Sequence, residues 1–179
     1  FTRMLAGPID YTPGIFDLEI DDRYKPDNRV KHTLAQELAL YVVIYSPIQM
    51  AADLIKNYQN QPAFQFIRDV AVNWEDTQVL NGEVGDYVTI VRKERNGDRW
   101  FLGSITDENA RKFEIDLDFL DANRTYKAII YADAPPDTHW QNNPTASAIS
   151  EREVTSDQTL MLNLVESGGA AISFEPVGK

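Results

Sequence analysis

The stretch DYVTIVRKERNGDRWFLGSI, residues 86–105, holds two apolar-rich runs on either side of a single Asn-Gly pair. Asn96 and Gly97 both tolerate positive φ, as a tight hairpin turn demands, so the two runs read as neighbouring antiparallel strands. The alternation continues outward from this hairpin. In KFEIDLDFL the side chains of Phe113, Ile115, Leu117 and Phe119 share one face and the acids take the other. TYKAIIYAD, LMLNLVE and AAISFEPV repeat the pattern, with AISEREVTS as a further candidate. Six or seven short strands joined by polar turns, from Trp74 onward, predict an antiparallel β-sandwich. The longest irregular piece within it is DAPPDTHWQNNPTAS.

Before about residue 70 the hydrophobic period is different. In KHTLAQELALYVVIYSP the residues Leu34, Leu38, Tyr41, Val42 and Tyr45 fall on one stripe of an amphipathic helix. Thr33 and Gln36 stand three apart, as in a capping box. Ser46-Pro47 closes the helix, because a proline disfavours the α conformation in the residue before it. The apolar run PIQM suits a short buried strand, and a second helix is expected from Pro62, with Phe64, Ile67 and Val70 facing inward. From Phe1 to Val70 the order is therefore strand, helix, strand, helix. That is the grammar of a parallel α/β structure, although two strands are too few to build one. The fold class read from the chain is α/β followed by all-β.

Composition narrows the function. With 179 residues and 43% hydrophobic side chains, the chain is long enough for one full core, or for a small domain plus part of another. The net charge of -11 argues against a nucleic-acid partner, since nothing forms the dense basic patch that phosphate binding needs. Cysteine is absent, which removes disulfides, thiolate metal sites and a Cys nucleophile. The longest nearly uncharged stretch, Leu38 to Ala52, is too short to span a bilayer, so no membrane partner is expected. The two histidines, His32 and His139, lie on opposite sides of residue 70 and give little support to a His-based triad or metal site; both read as solvated residues. The acidic run DLEIDDRYKPDN, with Asp17, Glu19, Asp21, Asp22 and Asp27, has the oxygen ligands calcium prefers but lacks an EF-hand's glycine and final glutamate. It reads as a solvated loop. No spacing of carboxylates marks a glycosidase pair. Of the three tryptophans, Trp100 alternates as a core residue, and Trp140, close to Asn142 and Asn143, is the candidate for sugar contact on the sandwich.

Three long strings, FTRMLAGPIDYTPG, HTLAQELALYVVIYSPIQMAAD and FQFIRDVAVNWEDTQVLNGEVGDYVTIVRK, resemble the C-terminal portion of glycoside hydrolase family 97. The resemblance implies a parent enzyme with an N-terminal β-sandwich, a central (β/α)8 catalytic barrel and a C-terminal β-sandwich. It also implies α-glucosidase or α-galactosidase activity, dependence on calcium, and a periplasmic or secreted location. Residues 1–72 would be the last strand–helix units of the barrel and 73–179 the sandwich. Phe1–Leu5 would be the seventh barrel strand, Thr33–Tyr45 the following helix, Pro47–Met50 the eighth strand and Pro62–Val70 the last helix. The chain is then expected to begin inside a barrel strand as a piece of a longer protein. The family's acid/base glutamate and calcium-binding glutamates lie upstream of FTRMLAGP, so no catalytic or metal residue is carried over, no cofactor is expected from this chain, and the fragment alone should be inactive. Barrel active sites form at the C-terminal ends of strands. Arg3, Asp10, Tyr11, Thr12 and Gln49 are therefore the candidate sugar-pocket residues, with an oligosaccharide as partner. Unpaired barrel edges further imply that residues 1–70 self-associate, pack on another chain or are loosely ordered.

Overall fold

The computed structural model describes residues 7–20 and 29–178. The expected strand Phe1–Leu5, the candidate Arg3, and Asp21, Asp22 and Asp27 lie outside them. The elements in chain order are α1 (Leu34–Val43), α2 (Ile55–Tyr58), α3 (Phe64–Asp69), β1 (Trp74–Glu83), β2 (Tyr87–Glu94), β3 (Trp100–Thr106), β4 (Arg111–Asp116), β5 (Tyr126–Asp133), β6 (Ser147–Val154), β7 (Thr159–Leu164) and β8 (Gly169–Pro176). A six-stranded antiparallel sheet runs β1-β2-β3-β8-β5-β6, and β4 pairs with β7 in a second, two-stranded sheet.

The 86–105 hairpin forms as its sequence implies, with Asn96 at φ 61 in the turn and Val91 opposite Leu102. Every residue of β3 is buried, because its two faces meet different layers. Phe101 and Ile105 belong to a core shared with α1, Phe16 and Phe66. Trp100 and Leu102 join Ile172 and Phe174 in a second core, closed by Ile115, Leu160, Leu162 and Leu164 from β4 and β7. The period of two divides each central strand between these cores. The six-stranded sheet is thus the middle layer, with α1 and the segment before it on one face and β4–β7 on the other.

Two glycines let α1 lie directly on the sheet. A Cβ at Gly103 would sit 2.6 Å from the Ala39 carbonyl oxygen, and one at Gly169 would sit 2.5 Å from Gln36 Cα. No larger residue admits that approach. Both ends of the helix are wired to the sandwich. Thr33 is the N-cap, and its hydroxyl accepts the Gln36 N–H at 3.2 Å while donating to Asp133 Oδ1 at 2.7 Å. Asp133 Oδ2 accepts the N–H groups of Val165 and Gly169, at 3.1 and 2.9 Å. At the other end Arg92 donates from Nε to the Val42 carbonyl at 2.6 Å and from Nη1 to Thr77 Oγ1 at 2.8 Å, and its guanidinium lies against the rings of Tyr45 and Trp74. An anion at the N-terminus and a cation at the C-terminus both complement the helix dipole.

Several expectations are corrected. Pro47–Met50 is irregular and largely exposed, with Ile48 at 72% exposure. No strand among the described residues pairs with it, and a strand without a ladder leaves its backbone groups unmet. The helix expected from Pro62 is the short α3, which begins at Phe64; Phe64, Ile67 and Val70 do pack inward, half-buried, against the core that holds the fully buried Phe66. The helical turn α2 and the edge strand β1 were not legible, since IKNY is too short for a periodic stripe and WEDTQVLNGE is polar on its exposed side. Only one half of the capping box forms: the Gln36 amide reaches across to the Thr106 carbonyl, at 3.0 Å, instead of back to Thr33.

Candidate functional site

The segment carrying Asp10, Tyr11 and Thr12 has no regular structure, so its shape comes from side chains that reach into it. Glu37, in the first turn of α1, is buried and accepts the N–H groups of Gly14 at 2.5 Å and Ile15 at 3.2 Å through Oε1. Its Oε2 lies 2.5 Å from His32 Nε2. Gly14 has φ +99, and a Cβ there would meet the Tyr41 hydroxyl at 2.3 Å. That hydroxyl stands 3.1 Å from the Pro13 carbonyl and 2.9 Å from the Met50 carbonyl, and so shares its proton between the segment holding Asp10–Thr12 and the one holding Gln49.

A second knot stands beside the first. Asp53 Oδ2 accepts the N–H groups of Phe16 and Asp17 at 2.8 and 2.7 Å, and Oδ1 accepts from Leu54 and Asn57, both at 2.7 Å. Tyr58 donates its hydroxyl proton to the Gly14 carbonyl at 2.6 Å and accepts the Asp53 N–H at 2.8 Å. Its ring stacks on Phe64 and meets Phe16 edge-on. Burial pushes the Asp53 carboxyl up, but the donors from Asp17, Asn57, Leu54 and Phe16 outweigh it and hold the group below its ordinary value. Burial also raises the phenols of Tyr41, Tyr58 and Tyr11, and for Tyr11 the charge on Glu37 adds to it.

The candidate residues stand as follows. Asp10 and Thr12 are exposed and Tyr11 is half-buried, in a loop pinned from below by Glu37. Gln49 donates to the Tyr41 carbonyl at 2.6 Å and leaves its Oε1 buried without a partner. The structure therefore brings the Asp10–Thr12 loop and the Gln49 segment together through Tyr41. Trp140 is half-buried in the β5–β6 loop and shares no hydrogen bond or ring contact with that group. Its loop meets the start of α1 where the Leu34 N–H donates to the Pro144 carbonyl at 2.9 Å. His32, expected as solvated, is the partner of Glu37. Glu37, Asp53 and Tyr58 were missed from sequence; Glu37 alone carried a signal, as a carboxylate three residues after Leu34 at the margin of the apolar stripe.

This arrangement holds loops in place. Both carboxylates are occupied by N–H donors, so neither is free to protonate a leaving group or to bind a hard cation. Among the described residues no three His, Asp or Glu side chains are grouped to hold a metal. The described residues thus offer no grouped carboxylates that fit a calcium ion. Asp17 is half-buried, and Glu19 pairs with Arg29 at 3.3 Å.

Residues 73–175 match the family model described as glycosyl-hydrolase 97 C-terminal, oligomerisation. The chain belongs to glycoside hydrolase family 97. A retaining alpha-galactosidase of Bacteroides thetaiotaomicron is 32% identical over 185 residues, which cover 98% of this chain and 26% of the relative. The family 97 enzyme from Pseudoalteromonas sp. strain K8, solved in complex with acarbose, is 51% identical with a TM-score of 0.93 and covers 98% of this chain and 27% of that one. A variant of the same enzyme was solved in complex with panose, with the same identity and TM-score of 51% and 0.93. A β-arabinopyranosidase shares the fold, with a TM-score of 0.76 at 20% identity. The chain spans about a quarter of the length of the Bacteroides and Pseudoalteromonas proteins, 26% and 27%.

Proposed function

We propose that this chain is the C-terminal portion of an α-glycosidase, in which residues 1–72 complete a (β/α)8 catalytic barrel and residues 73–179 form the sandwich against its side. The observation that carries this reading is the likeness to the Pseudoalteromonas enzyme over 98% of the chain, from the first loop to the last strand. The side chains of Ile48, Met50, Leu54 and Ile55 add to it: all are exposed, Ile55 at 80%, and they form the apolar surface that an adjoining part of the barrel would cover. The family model's own description supports a structural, subunit-joining role for the sandwich.

In this reading the reaction is hydrolysis of a terminal α-linked glucose or galactose by two carboxylates supplied upstream. Acarbose and panose are ligands of the α-glucoside type and favour glucose, whereas the Bacteroides relative favours galactose. Calcium is held by upstream carboxylates. This chain contributes a wall of the sugar pocket: Arg3 of the expected seventh strand, Asp10, Tyr11 and Thr12 after it, and Gln49 at the eighth. Asp10 and Thr12 offer exposed polar groups to sugar hydroxyls, while Gln49, whose amide donates to the Tyr41 carbonyl, holds the eighth-strand segment beside them. The enzyme works in the periplasm or outside the cell.

The test is made on the full-length parent with aryl α-glucoside and aryl α-galactoside. Asp10→Ala and Gln49→Ala should each lower kcat/KM at least tenfold on the preferred substrate, Asp10→Ala without lowering the melting temperature. The 179-residue chain alone should hydrolyse neither substrate. Unchanged kcat/KM in both variants would remove these residues from the pocket, and activity of the isolated chain would overturn the whole reading.

A further inference from the structure

A cleft of about 360 Å³ opens between the β4–β7 sheet and the loop that follows β5. Ala110, Pro135, Leu164 and Val165 give it an apolar lining. Lys112, His139, Asn163 and Glu166 supply the polar groups around them. Lys112 and Asn163 stand opposite each other in the β4–β7 register, and both are exposed, as is Glu166. The loop wall is held by Thr138, a buried residue whose hydroxyl accepts the Ala134 N–H at 2.6 Å and donates to the Ala146 carbonyl at 2.8 Å. His139 accepts the Gln141 N–H at its Nδ1, at 3.2 Å, which leaves the proton of the neutral ring on Nε2. Arg111 borders the cleft too, but its guanidinium is engaged by Asp107 and Thr106 and lies over the Tyr87 ring at 4.9 Å.

We propose that this cleft is an accessory saccharide site, separate from the barrel pocket, that takes a neutral mono- or disaccharide. The lining selects the ligand class. A sugar ring has C–H faces that suit Pro135, Leu164 and Val165, and an edge of hydroxyls that are donors and acceptors at once. Lys112 and His139 donate, Glu166 accepts, and the Asn163 amide does both. An anion would meet Glu166 and a cation would meet Lys112. A wholly apolar molecule would strip water from both charges and return no hydrogen bond. Because these residues belong to the sandwich, the proposal does not depend on residues 1–72 forming part of a barrel.

The experiment is an amide-shift titration of the isotope-labelled 179-residue chain with maltose and, separately, melibiose, repeated with glucuronate. Saturable shifts at Lys112, His139, Asn163 and Glu166 with at least one of the neutral sugars are expected. Lys112→Ala and Asn163→Ala should each weaken them at least tenfold at an unchanged melting temperature, both positions being exposed. Glu166→Gln serves as a third variant should either lose stability. In the full-length parent the same substitutions should leave hydrolysis of aryl glycosides unaltered. Absence of shifts with both neutral sugars overturns the proposal. So do shifts confined to Trp140 and Asn142, or tighter binding of glucuronate than of either neutral sugar.

Discussion

Asp133 shows how one buried side chain ties distant parts of the chain together. It takes the Thr33 hydroxyl, 100 residues away, and two backbone N–H groups, yet burial dominates and pushes its carboxyl from 3.8 up to about 6. The folded form therefore holds a proton across a window in which the unfolded form has lost it, and stability contributed by this group is present below pH 3.8 and lost as the pH rises through 6. Asp133→Asn removes the titration. Comparing urea unfolding of the two proteins from pH 4 to 7, the wild type should lose about 2 kcal/mol relative to the variant; a relative gain would show that the hydrogen bonds outweigh burial. Glu37 makes a different case, because its removal strands two N–H donors and His32. Glu37→Ala is expected to cost about 3 kcal/mol in denaturant unfolding, and Glu37→Gln, which keeps one acceptor oxygen, about 1 kcal/mol.

The element on which the fold turns is α1. Its stripe and its N-cap were legible, because they depend on residues within one or two turns of each other. Its resting place was not: β3 carries Gly103 and β8 carries Gly169, and each reads as a weak point in a strand until the helix backbone is seen above it. Gly103→Ala should force the helix outward and cost about 1–3 kcal/mol, with faster amide exchange in α1 and β3 as the local readout. Unchanged stability would mean that the helix does not rest on the sheet there. The Pro47–Met50 run is the opposite instance. Its composition is strand-like, but the backbone lies open because strand pairing is supplied by partners and not by composition.

For the chain taken entire, the consequence lies in the surface left open. Ile48 and Ile55, exposed at 72% and 80%, should make the chain associate with itself as its concentration rises. Sedimentation velocity of the double variant Ile48→Ser, Ile55→Ser should return a monomer at concentrations where the wild type is larger, with no change in melting temperature. Equal association in both would place the contact elsewhere. The sequence was sufficient for the sandwich class, the 86–105 hairpin, the cap at Thr33 and the family, since these rest on short-range periodicity, turn chemistry and contiguous strings. Folding in three dimensions settled the rest. The placing of β8 between β3 and β5, the joining of β4 to β7, and the partners of Glu37, Asp53 and Asp133 all pair residues far apart in the chain. Their order is set by burial against two cores at once, a condition that no local window of sequence contains.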